Sequence, residues 1–243
     1  MTEFEFASLA YTDAKRLLDG PTPVLLLPLG AVEAHGPHLP LSTDLIISLG
    51  VCRRAAARLA HDPDVRAVVL PPLAYGVTRY AAAFSGTISI SEETLRSLVA
   101  DVCASLGASG FTRVVLVNNH FEPEQVRVLR ETGIPLLDLM RRANAQRLTE
   151  EFRSGSCHAG RYETSLVLAD APQGVDRKRM AALDANIVEM PAAIAAGKTD
   201  FLALGMPDAY CGAPADASEA EGEVTFDTLS DMLVELIREV ARA

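Results

Sequence analysis

The run Val24-Leu25-Leu26-Leu27-Pro28-Leu29 passes directly into Gly30-Ala31-Val32-Glu33-Ala34-His35. An apolar run this short, closed by glycine, is too brief for a core helix. It also lacks the polar alternation of a half-exposed strand. It reads as a strand buried on both faces, the kind found in parallel sheets. Working outward, Val65–Leu70 is a second such run, stopped by Pro71-Pro72. Arg113–Val117 is a third and Ile134–Leu139 a fourth. Helical spacing fills the gaps. Leu45, Leu49, Cys52 and Ala56 lie on one side of a segment from Ser42 to about Ala60, with Ser42 or Thr43 as a cap. Ser91-Glu92-Glu93-Thr94 has the form of a capping box and opens a helix carrying Leu95, Leu98, Val102 and Leu106. Pro123–Arg130 and Arg141–Phe152 read as further helices. Thr164–Leu168 fits a strand or a helix. Leu229, Met232, Leu233, Leu236, Ile237 and Val240 mark a long final helix. Strand–helix alternation predicts right-handed βαβ units, hence a three-layer α/β/α single domain over residues 1–243 with a mostly parallel central sheet. Residues Ala171 to Glu223 are expected to be long loops on the one domain and a candidate oligomer contact.

Composition narrows the function. The chain has 243 residues, 49% of them hydrophobic, no Trp and a net charge of −10. An acidic chain repels phosphate backbones, and neither Arg141-Arg142 nor Arg177-Lys178-Arg179 amounts to a basic patch, so nucleic acid is excluded as a partner. No apolar run approaches the ~20 residues that span a bilayer, and the acidic start does not have the form of a signal peptide. Cys52, Cys103, Cys157 and Cys211 form no C-x-x-C pair, as expected of a reducing, cytoplasmic setting. No G-x-S-x-G, P-loop or G-x-G-x-x-G is present.

Ligands of an open parallel sheet gather at the carboxyl ends of its strands. After the first strand come Glu33, His35 and His38, then Asp44. After the third come His120 and Glu122. Glu33 and His35 are two apart and point the same way in an extended loop; His120 and Glu122 repeat the spacing in reverse. Imidazole nitrogens and carboxylate oxygens suit a borderline divalent metal. Three carboxylates exceed what one tetrahedral site needs, and suit two ions sharing Asp44. Such a pair makes hydroxide near neutral pH and polarises a carbonyl. Taken singly, each residue also reads as a cap or loop hydrogen-bonder. His38 is expected to order the Gly-Pro-rich loop rather than to bind metal. Cys157 beside His158 makes a poor nucleophile pair, because neighbours in an extended segment face opposite ways.

The segment Leu27–Asp44 resembles the signature of the creatininase (creatinine amidohydrolase) family. So do Pro71-Pro-Leu-Ala-Tyr-Gly76, Phe84–Ser89, Asn118-Asn-His-Phe-Glu122 and His158-Ala-Gly-Arg-Tyr-Glu-Thr-Ser165, in family order. The resemblance implies a binuclear centre of zinc, manganese or iron. Glu33, Asp44 and His120 would hold one ion, and His35, Asp44 and Glu122 the other. It implies His158 as general acid or base, with Glu163 assisting, and a homohexamer. Tyr75, Thr78 and Phe121 are the candidate substrate contacts. Departures fall on the substrate wall: Trp is absent, Ser154, Gly155 and Cys157 replace family residues, and so do Ala81, Ser85 and Asn119. The expected function is therefore hydrolysis of a C–N bond other than a peptide bond, in a small polar amide, lactam or formamide that is not creatinine. Related branches act on formamide bonds and on a peptide bond in a redox-cofactor precursor. A metal-stabilised scaffold without catalysis, or hydrolysis of a ring C–C bond, are the alternative readings.

Overall fold

A computed structural model describes residues 4–243. Its sheet holds β1 (Thr22–Leu29), β2 (Val65–Val69), β3 (Val114–Asn118) and β4 (Leu136–Leu137), all parallel in the order β2-β1-β3-β4. The helices are α1 (Tyr11–Arg16), α2 (Thr43–Arg58), α3 (Glu92–Ala108), α4 (Pro123–Glu131) and α5 (Arg142–Ala145). After these come α6 (Glu150–Ser154), α7 (Arg161–Asp170), α8 (Arg177–Met180), α9 (Met190–Ala195) and α10 (Glu219–Arg242).

The side-chain alternation of β1 separates the layers. Val24 and Leu26 face a core built with Ile47, Leu166 and Leu233 of α2, α7 and α10. Leu25, Leu27 and Leu29 face a second core with Leu95 and Val99 of α3 and Val128 and Leu129 of α4. Burying each such leucine contributes roughly 1.5–3 kcal/mol, which is why the buried part of β1, residues 24–29, holds no polar side chain. The sheet is thus enclosed on both faces, and its functional surface is left to the strand ends. There Leu29 of β1 lies opposite Asn118 of β3, so the loops carrying Glu33 and His120 leave the sheet side by side.

Three local expectations are corrected and one open reading is resolved. The fourth strand shrinks to Leu136–Leu137, because Asp138 turns away to pair with Arg130. The helix expected over Arg141–Phe152 is two short helices, the second capped by Thr149, whose hydroxyl accepts from Phe152 N. Thr164–Leu168 is helical, within α7. Glu219, Glu221 and Glu223 belong to the start of α10 rather than to a loop: Ser218 caps it, and the carboxylates complement the helix dipole. The long connection before α10 is not featureless, since Phe201, Leu204, Met206 and Cys211 build a small core of their own against Tyr80 and Ala81. α10 lies so close to α7 that a Cβ on Gly222 would fall 1.9 Å from the Ser165 carbonyl oxygen.

Candidate metal centre

Each acid and imidazole reaches the centre from a strand end or a helix start. Gly30 lets the loop after β1 press on the start of α2, where a Cβ would come within 2.9 Å of Asp44 Cβ and Leu45 N. Asp44, in the first turn of α2, thereby accepts from Ala31 N at 3.2 Å. Its two oxygens face different partners: Oδ1 lies 3.0 Å from His35 Nε2 and Oδ2 3.2 Å from His120 Nδ1. Glu33 Oε1 lies 3.1 Å from His120 Nδ1, while its other oxygen accepts from the Thr78 hydroxyl. Glu163, in the first turn of α7, brings Oε2 to 3.5 Å from His35 Nε2.

Ligand atoms therefore converge in two principal sets, Glu33–Asp44–His120 and His35–Asp44–Glu163, with Asp44 common to both. A third set joins Glu33, His35 and His158. Backbone carbonyls hold the rings. His35 Nδ1 is 3.1 Å from Glu33 O, and His120 Nε2 is 2.7 Å from Val77 O. A neutral ring that donates to its carbonyl turns a lone pair toward the acids, the usual support of a metal-binding histidine.

The charge balance asks for cations. Glu33, Asp44 and Glu163 are all buried, and among the described residues the ion-pair partners of all three are histidines. Burial pushes the His35 imidazole down, but Asp44, Glu163 and Glu33 outweigh it and hold it at about 10. Burial likewise opposes, and Glu33 and Asp44 overcome, the charging of His120, which is held well above its ordinary value. Asp44 and Glu33 are held below the usual carboxylate range against burial, mainly by these imidazoles. Burial raises Glu163 to about 8. His35 Nε2 faces three carboxylates without hydrogen-bonding geometry to any. Borderline divalent cations fit this nitrogen-and-oxygen set.

The remaining expected site residues are distributed differently. Glu122 lies outside both principal ligand sets. It is the N-cap of α4, and its carboxylate accepts from Arg79 N at 2.7 Å and Tyr80 N at 3.2 Å. In the second set Glu163 stands with His35 and Asp44, while Glu122 lines the same cavity. His158 is stacked between the rings of His35 and Phe201, at centroid distances of 4.4 and 4.5 Å, and its Nε2 lies 3.0 Å from Ala34 O. Burial and the neighbouring His35 hold it down to about 4, hence neutral. Phe121 lines the cavity over the centre. Tyr75 is 51% exposed and lines no part of that cavity, and Thr78 is buried behind Glu33. Cys157 lines the cavity as a thiol, since burial pushes it well above its ordinary value. Sequence reasoning missed Phe201, which lies in a stretch with no helical or strand periodicity.

The cavity is about 500 Å³. Glu33, Asp44, His120, Glu122, His158 and Glu163 form its polar floor, under walls that include Phe121, Phe152, Met190, Ile194 and Phe201. A model of the family described as creatinine amidohydrolase matches residues 7–237. The chain belongs to the creatininase family. It is 32% identical over 240 residues to the mycofactocin precursor peptide peptidase of Mycobacterium ulcerans, covering 95% of this chain and 90% of that one. It is 34% identical over 182 residues to the creatinine amidohydrolase of Pseudomonas putida, covering 65% and 68%. A solved manganese creatininase superposes with a TM-score of 0.73 at 26% identity, covering 98% of both chains. A creatininase solved in a Zn-Zn form gives 0.74 at 25%. The creatininase fold thus carries the expected three-layer architecture. Among the described residues, no helix is long and apolar enough to cross a membrane.

Proposed function

We propose that the chain is a metal-dependent hydrolase that cleaves an amide bond in a short peptide bearing apolar side chains. The observation that carries this reading is the polar floor of buried acids and imidazoles beneath a largely apolar cavity of about 500 Å³. That volume falls within the range of pockets that enclose a drug-sized ligand, and exceeds what one small lactam ring fills. Apolar walls reward apolar side chains, which argues against the small polar substrate expected from sequence. The near full-length likeness to a precursor-peptide peptidase, against a partial one to a creatinine amidohydrolase, supports the same choice.

In this reading Glu33, Asp44 and His120 hold one divalent cation, and His35, Asp44 and Glu163 a second, zinc or manganese. Such ions, when bound, make water acidic near neutral pH and stabilise charge on a carbonyl oxygen. The protein supplies the rest. His158, neutral and donating from Nε2 to Ala34 O, keeps Nδ1 free to accept the proton of the attacking water and return it to the departing nitrogen. Glu122 lies on the cavity floor with its carboxyl raised by burial, and is a second proton carrier rather than a ligand. Phe201 and Phe121 exclude bulk water above these groups. The homohexamer remains part of the proposal, and light scattering in solution tests it.

The direct test uses metal-stripped protein reloaded with zinc or manganese. A panel of synthetic tetrapeptides with Phe, Leu or Val after the scissile bond is compared by mass spectrometry with creatinine and with formamides. Metal-dependent release of a new amine from the peptides is expected. Turnover of the lactam or formamides with the peptides untouched overturns the peptide reading, and a metal-loaded protein inert toward every amide returns it to the scaffold class.

A further inference from the structure

His38 has no part in the chemistry described so far, yet it is buried against the helix that carries Glu163. Its Nε2 lies 2.9 Å from the Thr164 hydroxyl oxygen, and both residues are almost wholly inaccessible. Burial and the nearby His35 hold the ring down to about 4, so it is neutral and offers one donor and one acceptor. Its Nδ1 has no partner and rests against Gly36, where a Cβ would come within 2.7 Å. An unpaired buried acceptor costs less than an unpaired buried N–H, which places the ring proton on Nε2. Nε2 then donates to Thr164 Oγ1, and the single hydroxyl proton of Thr164 is left for the Ala159 carbonyl, 3.4 Å away.

Ala159 is the reason this chain of hydrogen bonds matters. Among the described residues it is one of two non-glycines with positive φ, at +50°, a conformation that an L side chain adopts at a cost and keeps only when its surroundings enforce it. Thr164 holds its carbonyl, and Glu163 Oε2 accepts from its N–H at 2.7 Å. The turn so clamped joins His158 to the start of α7. It aims His158 at the Ala34 carbonyl on one side and Glu163 at His35 on the other. The His38 loop is itself fixed, since its carbonyl accepts from Asp176 N at 2.9 Å.

We infer that His38 is a positioning residue, which fixes the donor direction of Thr164 and through it the Ala159 turn that seats His158 and Glu163. The inference rests on the hydrolytic site proposed above. Three variants test it in the zinc-loaded protein with the best tetrapeptide of the panel. They are His38→Phe, which keeps a ring without a donor, Thr164→Val, which keeps the shape without the hydroxyl, and the double variant. Each single variant is expected to lower kcat about tenfold, with KM unchanged within about twofold. The double variant is expected to be no worse than either single one, because both break the same chain. Thr164→Ser restores activity. In two-dimensional proton–nitrogen spectra of the histidine rings, the His158 nitrogens shift in both single variants and return in Thr164→Ser. Losses that multiply in the double variant, or His158 signals unmoved in all of them, overturn the inference. If the wild type cleaves no peptide, the peptide reading fails, and the ring spectra still decide the role of His38.

Discussion

Loading the metal-stripped protein with a divalent cation at pH 7 must expel protons, and the structure sets how many. His35, held at about 10, carries its proton almost fully at that pH; Glu163, at about 8, carries one roughly nine-tenths of the time. An ion entering between His35, Asp44 and Glu163 needs both in their deprotonated forms. That ion therefore releases on the order of two protons, and the ion at Glu33–Asp44–His120 displaces the proton of His120 as well. Two protons released by the ion at His35, Asp44 and Glu163 mean an affinity for that ion that rises about 100-fold per pH unit, or ~2.7 kcal/mol, below the Glu163 value. The dependence flattens to about tenfold per unit between 8 and 10, and vanishes above. The assay is calorimetric titration with manganese in buffers of different ionisation enthalpy, where the slope of observed heat against buffer enthalpy counts the protons. A release below about one proton at pH 7, or an affinity constant from pH 6 to 8, would refute the argument that buried acid–imidazole pairs hold these protons.

Other outcomes follow from the same geometry. Glu163→Gln is expected to lose about half of the bound metal, whereas Glu122→Gln keeps its metal and loses kcat by roughly 10²–10³-fold; elemental analysis beside turnover separates the two. Gly222→Ala forces a Cβ toward the Ser165 carbonyl and is expected to destabilise the fold by about 3 kcal/mol, read as a lower urea midpoint. In the metal-free protein the raised His35 stabilises fully below about 6.5 and loses that contribution as pH climbs through about 10. Asp44 and Glu33, both depressed, lose theirs as pH falls below the ordinary carboxylate range. Thermal melts of stripped protein should fall on the alkaline side well before those of the loaded protein.

The strand ends were legible because burial on both faces leaves an unambiguous apolar signature, and parallel neighbours set their following loops side by side. Glu33 and His35 were found through a spacing that an extended segment preserves. The same spacing did not give the direction of the Glu122 carboxylate. Pro123 begins α4 immediately after it, and the N-cap backbone, φ −55° and ψ 130°, redirects its carboxylate onto the Arg79 and Tyr80 amides. Glu163 could not be placed beside His35 while its segment read equally as strand or helix. Only as the first turn of α7, packed under α10 and beside α2, does it face His35. Phe201 reaches His158 through a tertiary contact that no periodicity encodes.

Part of the cavity wall comes from a different part of the molecule than the floor. The acids and imidazoles hang from the sheet and its principal helices, whereas Met190, Ile194 and Phe201 come from the connection before α10, which packs in a small core of its own. Inheritance can therefore act on the two separately. Substitutions at Met190 or Ile194 reshape what is admitted while leaving the acids and imidazoles on their own elements. A lineage with this architecture can change substrates by rewriting one stretch of chain, and an engineer choosing positions to randomise would begin with the same stretch.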